Sequence, residues 1–182
     1  MPAKKQITKD MILSAALELL REGGQEAVNV KALAQRLRCS TQPIYLSFPG
    51  MKELRSDLTG KAVAFFTEAM TGADSEKADL FGMSYIRFAM DEKNLFLYLF
   101  MRPNALAEIR EALKPLMERS ISALMTQYRI GYAQADELHD QLWMHAHGIA
   151  SMAATEFCVW DTGKIERMLA DSRRCFTRKF EA

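Results

Sequence analysis

The sequence predicts an all-α protein with a small N-terminal domain and a larger helical domain behind it. Along most of the chain, apolar residues recur at the i, i+3, i+4 and i+7 spacing of one helix face. Glycine and proline are scarce, with 9 and 5 among 182 residues, which argues against a fold rich in turns and short strands. We therefore expect helices from near residue 9 to the C-terminal end.

The composition favours one compact protein of a reducing compartment. Hydrophobic residues make up 49% of the chain, which is enough for a sizeable core. No run approaches the roughly 18 apolar residues of a membrane-spanning helix, and the basic start MPAKKQITKD leads into a charged amphipathic segment rather than a signal peptide. The three cysteines, Cys39, Cys158 and Cys175, follow no metal or disulfide spacing. We expect a cytoplasmic protein that makes no membrane contact.

The charge is unevenly distributed between the two ends of the chain. Residues 1–61 carry a net charge of +4, whereas residues 62–182 carry −3. A basic first third on an acidic remainder is a mild indication that the N-terminal part faces a polyanion such as nucleic acid.

The first two helices are marked by their end residues. Residues 9–22 place apolar side chains on one face, with Thr8 as the expected N-cap and Gly23-Gly24 as the stop. A second, shorter helix begins at Val30, with Asn29 as its expected N-cap.

The segment TQPIYLSF, residues 41–48, is ambiguous on propensity alone. Its aromatic and aliphatic residues suit a strand, but it contains Pro43 and no second strand-like run lies nearby to pair with it. A helix explains more: Ser40 is the expected N-cap, Pro43 falls in the first turn, where its missing N–H costs no hydrogen bond, and Ile44 and Phe48 share the inner face.

Two short helices joined by a tight turn, with a longer helix ahead of them, form a helix-turn-helix arrangement over residues 30–48. The second helix of this motif enters the DNA major groove and the first crosses the backbone. The division that follows is a helix-turn-helix DNA-binding domain at 1–50, extending into the helix that starts near 51, and a larger helical domain at 51–182.

Residues 8–58 resemble the N-terminal domain of the TetR/AcrR transcriptional regulators. The matching pieces are TKDMILSAALELLREGG, VNVKALAQRL, CSTQPIYLSF and PGMKELRSDL, in that order. The family usually has glycine in the turn of its helix-turn-helix, whereas this chain has Arg38-Cys39. A residue other than glycine at positive φ costs roughly 1 kcal/mol there.

The expected DNA contacts centre on the second helix of the motif. Gln42 can pair with both exposed edge atoms of adenine, and Thr41 can hydrogen-bond a base or touch a thymine methyl group. Tyr45 suits a phosphate, a contact that positions the protein without reading sequence. A solvated helix face is the plain alternative. The candidate residues are Lys31, Arg38, Ser40, Thr41, Gln42, Pro43, Tyr45, Leu46, Ser47 and Lys52.

The remainder of the chain is expected to be a series of helices. Residues 93–102 are apolar on most faces and should be buried all round. Pro115 should kink or split the helix that contains it, and Asp161 should cap the last one. A break is expected at 71–74. The expected helical segments are 51–70, 76–90, 93–102, 104–130, 134–158 and 162–180.

The last two helices are candidates for self-association. The stretch AHGIASMAA, residues 146–154, contains small residues that allow close helix approach, and the final helix repeats Ile165, Leu169, Phe176 and Phe180. Both sets could instead face the core of a single chain. The resemblance implies a homodimer built from helices 134–158 and 162–180, and paired helix-turn-helix units bind palindromic half-sites.

The resemblance also implies that the C-terminal helices bind a small effector. This region is rich in aromatic residues and methionine, which suits an adaptable apolar site but is equally ordinary in a core. The pocket candidates are Phe66, Tyr85, Phe100, Trp143 and His147.

The sequence favours neither a metal site nor catalysis. His145 and His147 lie two positions apart, so they point about 200° apart on a helix, and His139 is six positions from His145, a poor step for chelation. No metal, nucleophile or nucleotide-binding motif occurs. We expect no enzymatic activity and no cofactor.

The leading hypothesis is a DNA-binding transcriptional regulator, with repression as the expected mode. It would bind a palindromic operator in double-stranded DNA as a dimer and be released by an unidentified apolar or amphipathic effector. The alternative is a helical small-molecule-binding protein without operator function, which would show no salt-dependent duplex binding. A metal-dependent enzyme built on the histidines is a third hypothesis, to be tested by metal content.

Overall fold

The computed structural model describes residues 6–72 and 82–180, and within those ranges the regular structure is entirely helical. This confirms the predicted all-α class. Two short 3-10 turns, Gln25–Ala27 and Arg178–Phe180, accompany the α-helices. The α-helices are α1 Lys9–Gly23, α2 Val30–Leu37, α3 Gln42–Ser47, α4 Met51–Thr71, α5 Met83–Asp91, α6 Lys93–Phe100, α7 Ala105–Tyr128, α8 Tyr132–Ala154 and α9 Thr162–Thr177.

Three of the predicted N-caps are confirmed, because each side chain accepts the backbone N–H three residues ahead. The distances are 3.2 Å for Thr8, 3.0 Å for Asn29 and 2.8 Å for Asp161. Each bond satisfies one of the N–H groups that the first turn of a helix leaves without a partner.

The predicted cap of α3 is wrong by one residue. Thr41 and not Ser40 precedes the helix, and Thr41 makes no side-chain cap hydrogen bond. Pro43 has no N–H, so a cap at position 40 would lose one of its two usual partners, the third helical N–H. Instead, the Thr41 carbonyl accepts the N–H groups of Ile44 and Tyr45 at 3.1 and 3.2 Å.

The turn between α2 and α3 contains the strain that the sequence suggested. Arg38 lies in the left-handed region at φ 53° and ψ 48°. In this conformation the N–H groups of Arg38 and Cys39 bond back to the carbonyls of Gln35 and Ala34, at 3.1 and 3.0 Å. Arg38 therefore occupies the conformation that glycine adopts more easily at helix C-termini.

The C-terminal helices follow the expected order with shifted boundaries. Pro115 does not split its segment, since α7 is one helix that runs through it, and Pro115 lies on the exposed side. Residues 93–102 are not buried all round as expected: Leu95, Phe96, Tyr98 and Leu99 enter the core, whereas Met101 is exposed. The predicted break at 71–74 and the start of the 76–90 helix fall partly or wholly within residues 73–81, outside the described residues.

One large apolar core runs from the N-terminal helices into the C-terminal ones. Buried side chains of α1 to α4 continue directly into those of α5 to α9. A second, smaller cluster joins the far ends of α7 and α8, where Phe176 and Phe180 of the C-terminal segment pack on it. Of the described helices, none combines the length and apolar character needed to cross a membrane.

Candidate DNA-binding surface and ligand cavity

Helix α3 is held by its inner face and leaves its outer face in solvent. Ile44 and Phe48 are only 1% and 2% exposed and anchor the helix in the core. Tyr45 and Leu46, between them in sequence, are 59% and 80% exposed. Burial of two side chains four positions apart thus fixes which residues of this six-residue helix can touch a partner.

The first turn of α3 presents polar side chains outward. Thr41 and Gln42 are exposed, as is Ser40 in the turn before them, whereas Pro43 is half-buried. Ser47 is also half-buried, and its hydroxyl donates to the Pro43 carbonyl at 3.0 Å, so its proton is used within the helix. The base-reading candidates are therefore Thr41 and Gln42, with Tyr45 and Leu46 beside them.

Cationic side chains flank this face on the neighbouring elements. Lys31 on α2, Arg38 in the turn and Lys52 in the first turn of α4 are all exposed. Arg55, which the sequence did not single out, is also exposed one turn after Lys52, and both residues border a cleft between α4 and the helices α6 and α7. The i, i+3 spacing of Arg55 from Lys52 was the available signal.

Not every cation in the motif is available for DNA. Arg36 contacts both Glu18 and Glu22 of α1, and the hydrogen bond to Glu22 is the main cause of the raised pKa of Arg36. This pairing holds α2 against α1. Arg36 therefore stabilises the fold, whereas Lys31 and Arg38 remain exposed.

The C-terminal helices enclose a cavity of about 260 Å³ that is mostly apolar. Phe66, Tyr85, Phe100 and Trp143, four of the five predicted pocket residues, line it. The walls that the sequence did not single out come mainly from α7 and α8. They are Leu106, Arg110, Leu113, Leu116, Met117, His139, Asp140 and Met144.

The family comparison supplies the decisive observation on the N-terminal helices. Residues 12–58 match the model of the bacterial regulatory proteins of the tetR family. These residues form a DNA-binding domain of the TetR type, which supports a role for the chain as a DNA-binding transcriptional regulator. The match spans α1, α2, α3 and the first turns of α4, the elements that form the exposed surface around Gln42. Members of this family generally bind DNA without enzymatic activity. No curated protein matches the chain.

The fifth predicted pocket residue of the regulator, His147, lies behind the cavity wall. Its Nδ1 is 2.9 Å from the Tyr85 hydroxyl oxygen. The Trp143 indole N–H, which can only donate, bonds to that same oxygen and opposes part of the rise that burial causes in the pKa of Tyr85. Burial raises the pKa of Tyr85 and lowers the pKa of His147, so both side chains are uncharged near neutral pH.

The other two histidines of the regulator are also used structurally. His139 Nδ1 lies 3.1 Å from Ser120 Oγ, and burial lowers the pKa of this histidine. His145 packs near the Phe176 ring, and its Nε2 is buried without a hydrogen-bond partner among the described residues. Within residues 6–72 and 82–180, no group of three metal-binding side chains comes together.

Contacts between α1 and the junction of α5 with α6 join the DNA-binding helices to the cavity helices. Arg21 Nε donates to Glu92 at 2.7 Å, and the Asn94 side chain donates to the Arg21 carbonyl at 2.9 Å. The Arg21 guanidinium also lies 4.7 Å from the Phe65 ring centroid. The Phe65 ring lies 6.5 Å from the ring of Phe88, which in turn lies 5.0 Å from the cavity-lining Phe66, so ring contacts connect α1 to the cavity wall.

Proposed function

We propose that this regulator is a repressor that binds a palindromic operator as a homodimer and is released by a small effector in the α7–α8 cavity. The main support for this proposal is that α3 exposes a polar and aromatic face on a chain whose other helices enclose an apolar cavity. We expect the protein to act in the cytoplasm, where it can reach chromosomal DNA.

The roles proposed at the DNA surface follow from side-chain chemistry. Gln42 and Thr41 read base edges, with Leu46 and Pro43 making apolar contacts. Tyr45 positions the helix on phosphates, together with Lys31, Arg38 and Lys52. Ser47 joins them by turning its hydroxyl from the Pro43 carbonyl to a phosphate oxygen. Ser40 contributes from the turn. Arg55 extends the same cationic side of α4 and joins this set on the strength of its exposure.

The proposed homodimer forms through α8 and α9, and Gly148 of α8 is the position that its own chain leaves uncovered. Ile165 and Leu169 pack against the main core and Phe176 and Phe180 against the second cluster, so these four are occupied within one protomer. Gly148 differs, because a Cβ built there meets no atom within 4 Å. Glycine inside a helix costs roughly 1 kcal/mol relative to alanine, and close approach of a partner helix would explain its use.

The segment that follows α8 also has exposed apolar side chains that suit the proposed dimer interface. Phe157 and Val159 are 80% and 90% exposed, which is unusual for neighbouring large apolar side chains. Contact with a second copy would remove them from water.

Effector release requires that the ligand distinguish two conformations of the dimer. The contacts of Arg21 with Glu92 and Asn94 would transmit a shift from the cavity helices to α1. If the α5–α6 junction moves when the cavity is filled, the end of α1 moves with it. Helix α1 in turn packs on α2 and α3. The spacing of the two recognition helices in the dimer would then change.

The test of operator binding is selection of genomic duplex fragments by the purified protein at physiological salt. The expected result is enrichment of one palindromic motif whose half-site centres lie about one helical turn apart. Recovery of no motif above background would contradict operator binding and favour the small-molecule-binding alternative.

The test of the dimer is sedimentation equilibrium of Gly148→Leu against Gly60→Leu. Both glycines lie in helices and neither Cβ position meets an atom within 4 Å, but Gly60 is in α4, away from α8 and α9. Only Gly148→Leu should yield monomers. Unchanged dimers in both variants would exclude α8 as the interface at this position.

A further inference from the structure

Among the described residues that line the cavity, no charged side chain lies in the interior, and the interior polar side chains of Tyr85 and His139 both have hydrogen-bond partners. The Tyr85 hydroxyl is bonded on both sides, by His147 and Trp143, and His139 Nδ1 is bonded to Ser120. A ligand group buried among these side chains would therefore find no free partner, and an ion would lose its hydration without compensation.

The two charged residues at the cavity have opposite signs and both lie at its rim. Arg110 on α7 and Asp140 on α8 are exposed and line the opening, as do the partly exposed apolar residues Leu106 and Met144. A ligand of either charge would be attracted by one of these groups and repelled by the other. The rim therefore selects neither anions nor cations.

The interior is shaped by aromatic rings. Phe66 and Phe100 meet edge to face with centroids 5.0 Å apart, and Tyr85 lies 6.0 Å from Phe66 and 5.6 Å from Phe100. Rings arranged in this way offer faces and edges to a further ring. A dry cavity of about 150 Å³ holds benzene, so the 260 Å³ available here suits one substituted or fused ring system.

We propose that the effector is a small, uncharged aromatic molecule whose single polar substituent remains between Arg110 and Asp140. This inference rests on the proposed function, because it names the chemical class of the molecule that would release DNA. The competing ligand is a lipophilic cation, since aromatic faces also attract cations. That ligand lacks a buried counter-charge here, and Arg110 opposes the attraction of Asp140.

The test compares three probes of matched shape at neutral pH: naphthol, naphthoate and naphthylmethylammonium. Calorimetric titration of the full chain should give a dissociation constant for naphthol at least about tenfold lower than for either ion, because both ions must be desolvated. Equal or tighter binding of either ion, or no binding of naphthol, would overturn the inference.

Two variants on adjacent residues place the binding in the cavity. Leu113→Trp fills the cavity and should abolish naphthol binding, whereas Lys114→Trp, exposed on the same helix, should leave it within about twofold of the parent protein. If Leu113→Trp does not fold, Met144→Trp at the exposed rim replaces it. Retained binding in the folded cavity-blocking variant would overturn the assignment to this cavity.

A parallel measurement of DNA release separates the two proposals. With the selected operator duplex, release by naphthol supports both. Release by an ion that also binds more tightly overturns the ligand class and leaves the repressor proposal intact. Tighter binding of naphthol without release supports the ligand class and contradicts effector-driven release.

Discussion

Helix α3 and the cavity wall of this regulator differ in how many roles each apolar side chain has. In α3 the roles are separated: Ile44 is buried and holds the helix, and Leu46, two positions later, is exposed. In the cavity wall they coincide, because Phe66 and Tyr85 belong to the core and also line the cavity. Stability and recognition can therefore be changed independently at the DNA end and not at the cavity end.

The largest expected effect distinguishes the two kinds of apolar residue within α3. Ile44→Ala should lower the free energy of unfolding by about 2–5 kcal/mol, because it leaves a cavity in the core. Leu46→Ala should change it by no more than about 0.5 kcal/mol, because Leu46 is exposed. Chemical denaturation measures both. Similar losses in the two variants would contradict the division of roles.

The next effect separates base reading from phosphate contact on the exposed face. Gln42→Ala should reduce operator affinity by about 1–3 kcal/mol while random duplex is bound almost as before. Tyr45→Phe removes one hydroxyl and should weaken binding to all sequences alike. Fluorescence anisotropy on operator and random duplexes gives the comparison. Equal loss on both duplexes for Gln42→Ala would contradict its base-reading role.

At the cavity end, stability should depend on the neutral histidines. Burial lowers the pKa of His139 and His147, so the unfolded chain binds more protons once the pH falls below the ordinary histidine pKa of about 6.5. Stability should be full above that pH and decline as the pH falls toward the lowered pKa values.

The decline should not exceed about 1.4 kcal/mol per pH unit for each histidine, and half-buried His147 should contribute less because solvent screens it. Denaturation curves between about pH 7 and pH 5.5 measure the slope, and His139→Gln should reduce it. A stability that rises as the pH falls across this window would contradict neutral burial.

The smallest effect concerns the turn before α3. Arg38→Gly should raise the free energy of unfolding by about 0.5–1 kcal/mol, since glycine adopts the left-handed conformation without strain. Arg38→Ala keeps the Cβ and should not give this gain. If Arg38 contacts a phosphate, both variants should lose DNA affinity equally. A gain in stability for alanine as large as for glycine would show that the side chain, and not φ, is the cause.

Local features such as helix caps were predictable because neighbouring residues determine them. The caps at Thr8, Asn29 and Asp161 were correct, since each depends on one side chain and a backbone N–H three residues ahead. The cap expected at Ser40 was wrong by one residue, because Thr41 precedes α3 and Pro43 removes one of the two N–H groups that a cap at position 40 could bond.

The cavity was only partly predictable. Four aromatic candidates line it, but Leu113, Leu116 and His139 were not expected there, because their position depends on how α7 packs against α8. Likewise, Phe176 and Phe180 looked suited to a partner chain, yet they cover a cluster at the end of their own. Helical periodicity shows that a side chain lies on an apolar face and does not identify what covers that face.

The amino-acid sequence alone determined the helical class, the helix-turn-helix and the solvent exposure of Thr41 and Gln42. It could do so because the helical spacing of apolar residues and the capping of helices both depend on residues only a few positions apart. Only the tertiary structure decided which apolar side chains enclose a cavity, which polar groups satisfy one another inside it and which cations remain exposed. Those properties arise from contacts between distant segments, such as Arg21 with Glu92 and Tyr85 with His147, whose pairing is set by packing.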